Sequence, residues 1–134
     1  MSAKLIAGTH VIMLKATNSV GVSSTATVTV QALSGNDYPT VNILSYYDGD
    51  YNFAAGNVET LVGTATDPVD ATLPDSAFVW TDSTDGLLGT GKTISVVLSG
   101  TPGVFTDHLV TLTVTNSAGH KGAASLHLGV GTIN

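Results

Sequence analysis

"THVIMLKATNSVG" occupies residues 9–21, and "DHLVTLTVTNSAG" occupies residues 107–119. When the chain is shifted by 98 residues, positions 9–30 fall on positions 107–128. Seven of these 22 pairs are identical: His10/His108, Leu14/Leu112, Thr17/Thr115, Asn18/Asn116, Ser19/Ser117, Gly21/Gly119 and Ala26/Ala124. In the second copy Val110, Leu112 and Val114 alternate with Leu109, Thr111 and Thr113. In the first, Ile12, Leu14 and Ala16 alternate with Val11, Met13 and Lys15. A period of two marks a strand with one buried face. Asn-Ser-X-Gly then supplies turn residues. A second alternating run follows, through Ala26, Val28 and Val30 or through Ala124, Leu126, Leu128 and Val130. Each copy reads as a β-hairpin. Upstream, "LIAGTH" (5–10) resembles "LSGTPGVFTDH" (98–108), with five extra residues in the second copy.

The strands that should precede such a hairpin occur once. "PTVNIL" (39–44) follows a linker rich in Gly, Asn, Asp and Pro. "VETLVGTATD" (58–67) alternates through Leu61, Gly63 and Ala65, and "AFVWTDS" (77–83) puts Phe78 and Trp80 on one face. "GLLGTG" (86–91) reads as a short edge strand or turn, and "KTISVVLS" (92–99) turns Ile94, Val96 and Leu98 inward. About seven short strands at this spacing predict a two-sheet sandwich. The predicted division is a partial repeat over 1–33, a linker over 34–38 and a complete module over 39–134.

Composition agrees with an all-β fold. Of 134 residues, 43% are hydrophobic and 10% charged, and 20 are threonine. β-branched residues suit a pleated, half-buried surface. The net charge is −6, from ten acids against four lysines and no arginine. That excludes a nucleic-acid binder, which needs a basic face, and disfavours an anionic membrane surface. No apolar run is long enough for a transmembrane helix, so no membrane insertion is expected. Without cysteine there is no disulfide or thiolate metal site. "MSAKLIAG" is too short and too weakly charged for a signal peptide. Met1 and Ser2 read as residues added to a fragment of a longer chain.

"PTVNI" (39–43), "FAAG" (53–56), "GTATD" (63–67), "VWTDSTDGLLGTG" (79–91) and "HLVTLTVTNSAG" (108–119) together carry a resemblance. Residues 39–130 resemble an immunoglobulin-like module of the bacterial extracellular type, near the PKD-like repeats. Residues 5–33 match the last third of the same module. The resemblance implies a Greek-key sandwich of about seven strands, preceded by an extra hairpin equivalent to its last two. It also implies a structural or adhesive role at a bacterial surface or in a secreted protein. The sequence departs from the antibody-type pattern in lacking the disulfide, so a buried Trp80 needs another partner for its indole N–H. His10 and His108 fall where the resemblance places a tyrosine corner, and are expected to hydrogen-bond to backbone.

Three sets of residues are candidate sites. Asp67, Asp70 and Asp75 in "DPVDATLPDS" offer oxygens of the kind Ca²⁺ takes, although aspartate is also a common turn residue. Tyr46, Tyr47 and Tyr51 in "SYYDGDYNF", with Phe105 in the inserted "GTPGVF", offer faces for sugar rings or a protein contact. The other reading of these aromatics is packing at a strand edge, with Phe53 a core position. His120 and His127 read as solvated. No nucleophile elbow, zinc-protease motif or phosphate loop occurs, and Glu59 is the single glutamate, so no enzyme is expected. The expected role is a noncatalytic spacer, stalk or adhesion module beside neighbouring modules of the parent chain. The rivals are a glycan- or receptor-binding module, or an accessory domain of a hydrolase or virion surface protein. A lone hairpin is marginal in water, so the 1–33 segment is expected to pair, between chains rather than within one.

Overall fold

The computed structural model describes residue 2, residues 5–32 and residues 37–131. The chain forms two compact units, Met1–Asp37 and Tyr38–Asn134. The first is a single antiparallel hairpin of β1 (Gly8–Thr17) and β2 (Ser23–Ala32). Leu14 is 70% exposed and Ile12 44%.

The second unit is all-β and β-sandwich-like. Its strands are β3 (Thr40–Ile43), β4 (Asp50–Phe53), β5 (Glu59–Thr66), β6 (Phe78–Asp82), β7 (Gly86–Thr90), β8 (Thr93–Val96), β9 (Thr106–Thr115) and β10 (Lys121–Val130). One sheet has the order β4-β10-β9-β6-β7 and the other β3-β5-β8. The core includes most positions the alternation predicts, Leu61, Phe78, Trp80, Val96, Leu98, Val110, Leu112, Val114, Leu126, Leu128 and Val130, together with Val41, Phe53 and Leu73, while Ile94, Ala65 and Ala124 are only partly buried. Gly63 of β5 lets the two sheets approach closely. A Cβ there would run into Leu112 and lie 3.0 Å from the Trp80 ring. The Trp80 indole N–H donates to the Gly91 carbonyl at 2.8 Å, which supplies the partner that burial demands.

One strand departs from the sequence reading. β4 runs through the second half of the tyrosine segment and pairs with β10 in parallel, Asp50 opposite Leu128 and Phe53 opposite Val130. A turn at Tyr47–Asp50, with Gly49 at φ 85°, delivers the chain to it. The Gly49 N–H donates to the His127 carbonyl at 2.9 Å, and Asp48 Oδ1 accepts from the His127 N–H at 2.7 Å. Four residues without apolar alternation leave no period to read. What holds β4 is the edge of β10.

Candidate functional site

Besides Asp48, which holds β10 through the His127 N–H, three carboxylates fasten the β9–β10 hairpin to the rest of the second unit. At the start of β9, His108 is fully buried. Its Nδ1–H donates to Asp82 Oδ2 at 2.8 Å and its Nε2–H to the Ser99 carbonyl at 2.8 Å. Asp82 Oδ2 also takes the Thr84 and Asp85 N–H groups, each at 2.9 Å. Asp82 Oδ1 is buried with no hydrogen-bond partner among the described residues. Asp85 lies 3.8 Å from His108 Nδ1.

At the other end of the hairpin the turn is held twice. Asp67 Oδ2 accepts from Asn116 Nδ2 at 3.1 Å. Asp70 accepts from the Ser117 N–H and Oγ–H, both at 2.7 Å. Asp67 Oδ1 meanwhile accepts from the Val69 and Asp70 N–H groups and shapes its own loop. Two of the three residues considered for calcium are therefore committed to the hairpin. Asp75 stands apart, in a short 3₁₀ turn at Asp75–Ala77. The described residues that do gather three metal-type ligand atoms, within 4.8 Å, are Asp82, Asp85 and His108. There Nδ1 carries the hydrogen that it donates to Asp82, so that nitrogen offers a metal no lone pair.

The aromatic candidates separate. Tyr46 packs edge-on against Phe53 and donates its hydroxyl to Glu59 at 2.9 Å. Burial first, then that hydrogen bond, raises its pKa. It is a packing residue, not part of an open platform. Tyr47 is 64% exposed on the turn. Tyr51 and Phe105, far apart in sequence, meet edge to face with centroids 5.4 Å apart. Both rings lie over Gly129 of β10, where any Cβ would collide with them. His120 and His127 are partly exposed and also have partners. His127 Nδ1 bonds Asp107 at 3.0 Å, and His120 stacks on Tyr38 at 4.7 Å.

The carboxylates make stability depend on pH. Hydrogen bonds from the Ser117 hydroxyl and then its N–H lower the Asp70 pKa. For Asp85, burial raises the pKa, but the Ser99 hydrogen bonds and the nearby His108 outweigh it and the net direction is down. A carboxyl whose folded pKa is depressed binds more protons when unfolded. Its stabilisation is present above the unfolded pKa and is lost as pH falls through the folded value. The urea midpoint is therefore expected to fall from about pH 5 to about pH 3. In the Asp70→Asn variant that fall should be smaller, and an unchanged fall would show that Asp70 does not contribute.

No family model, no curated protein and no solved structure matches this chain.

Proposed function

We propose that residues 38–131 are a noncatalytic immunoglobulin-like module that serves as a spacer in a longer secreted or surface protein. The observation that carries the reading is the parallel pairing of β4 with β10. Parallel edge strands let the chain enter the large sheet at one end and leave it at the other. Tension on the two ends then shears the β4–β10 bonds together instead of opening them one at a time. The Gly49 N–H to His127 carbonyl bond and the Gly131 N–H to Phe53 carbonyl bond extend that clasp at 2.9 and 2.8 Å. The strand orders β4-β10-β9-β6-β7 and β3-β5-β8 fit a Greek-key sandwich of this kind.

Pulling the full chain by its ends tests the reading. The second unit is expected to give way in one abrupt event, releasing roughly 300 Å of chain at about 3.4 Å per residue. Smooth extension at low force would contradict a spacer. A second reading rests on the Tyr51–Phe105 pair, with the two rings 38% and 44% exposed. Such a platform suits a sugar ring or a protein contact.

A further inference from the structure

The β1–β2 hairpin reproduces β9–β10 in more than sequence. Thr17 pairs with Ser23 as Thr115 pairs with Lys121, and Gly8 pairs with Ala32 as Thr106 pairs with Val130, so the register is the same after a shift of 98. Asn18 Oδ1 accepts from the Val20 and Val22 N–H groups, as Asn116 Oδ1 does from those of Ala118 and His120. Gly21 and Gly119 share a φ of 85°. His10 Nε2–H donates to the Ile6 carbonyl at 2.7 Å, the counterpart of the His108–Ser99 bond across the five-residue insertion.

The two copies differ in what meets them. In β9–β10, His108 Nδ1, Asn116 Nδ2 and the Ser117 N–H and Oγ–H each donate to a carboxylate, on Asp82, Asp67 and Asp70 respectively. The same donors recur as His10, Asn18 and Ser19. Among the described residues His10 Nδ1, Asn18 Nδ2 and the Ser19 groups have no acceptor. Three of the seven identities in the repeat are thus the side chains that grip carboxylates. The apolar counterparts Ile12, Leu14 and Val28 are exposed where Val110, Leu112 and Leu126 are buried. Charge divides in the same sense: residues 1–36 hold Lys4 and Lys15 and no acid, while all ten acids lie from Asp37 onward.

We propose that the β1–β2 hairpin is a docking element. Its partner is a second β-sandwich that lacks its own last two strands and carries three carboxylates placed as Asp82, Asp67 and Asp70 are. The hairpin completes that sandwich by pairing β1 with its β6-like strand and β2 with its β4-like strand, as β9 and β10 do here. Ile12, Leu14 and Val28 become core. His10, Asn18 and Ser19 set the register by charge-assisted hydrogen bonds. The inference rests on the modular reading above. The pulling experiment reports on the second unit alone, so the two fail separately.

The test adds to the full chain an acceptor polypeptide of residues 38–105 from the same sequence, which ends before β9. A 1:1 complex is expected on refolding together. Amide resonances of residues 8–32 should shift and become protected while those of 106–130 stay unchanged. Asp82→Asn in the acceptor, or His10→Ala in the chain, should weaken the complex at least about tenfold. The inference is overturned if no complex forms although a 106–131 peptide does bind the acceptor. It is also overturned if residues 106–130 are displaced, or if the chain without acceptor is a dimer through β1–β2. Where the acceptor binds neither element, residues 38–97 are fused ahead of Leu5 in the full chain. Protection of residues 8–32 in that fusion supports the docking, and its absence ends it.

Discussion

Asp82→Ala is expected to destabilise the second unit by about 3 kcal/mol, because it leaves the fully buried His108 Nδ1–H without its carboxylate acceptor. Three donors converge on Asp82 Oδ2, and two of them, the Thr84 and Asp85 N–H groups, lie in an exposed turn where water replaces the lost acceptor. The cost therefore falls on His108, which is shut away from water. For a domain of this size the melting temperature should drop by at least about 12 °C. Replacing Asp82 and His108 together by leucine should recover much of the loss, since removing both partners costs far less than stranding one of them in the core. Thermal melts of the two single variants and the double variant give the coupling directly. Additive losses would show that the two residues do not act as a pair.

Trp80→Ala is expected to cost a similar amount, about 3–5 kcal/mol, for a different reason. The ring fills the space that Gly63 leaves between the sheets and stands opposite Leu112 on the neighbouring strand. Alanine opens a cavity there and strips the Gly91 carbonyl of its donor. Trp80→Phe keeps part of the ring and loses the N–H, so it should fall between the native chain and alanine. Urea unfolding followed by circular dichroism ranks the three. A phenylalanine variant as stable as the native chain would remove the indole hydrogen bond from the account.

In the second unit the sequence and the fold agree where a period could be read, whereas in the first the same period leaves Ile12, Leu14 and Val28 exposed. Val110, Leu112 and Val114 alternate over a strand of ten residues, long enough for the pattern to name the buried face before any partner is known. Phe78 and Trp80 do the same over five. The repeat located the turn, because Asn-Ser-X-Gly fixes a local hydrogen-bond pattern that needs no tertiary context.

The site was much less legible. His108 was singled out and its backbone bond anticipated, but not its carboxylate. Asp82 is 26 residues upstream in "WTDSTD", where an aspartate reads as a turn former, and it is one, through Thr84 and Asp85. Its second role depends on β6 and β9 being neighbours, which no local pattern states. Asp67 and Asp70 are similar: their clustering offers oxygens for a cation or a turn, and nothing local names their partners Asn116 and Ser117, 47 to 49 residues away. The repeat had already marked Asn18/Asn116 and Ser19/Ser117, and asking what their side chains needed was the available clue. Tyr51 and Phe105 were both noted, yet only the parallel β4–β10 pairing brings them together, and β4 carries no periodic signal.

Two hairpins of one register, in one chain, differ in burial: Ile12, Leu14 and Val28 are exposed where Val110, Leu112 and Leu126 are buried. Amide hydrogen exchange compares them position by position, Leu14 against Leu112 and Val28 against Leu126, in dilute monomeric chain. If the surrounding strands and their carboxylates supply the stability, the 106–130 amides should exchange only with global unfolding, and those of 8–32 at least about 10³ times faster. Equal protection in the two hairpins would contradict the account.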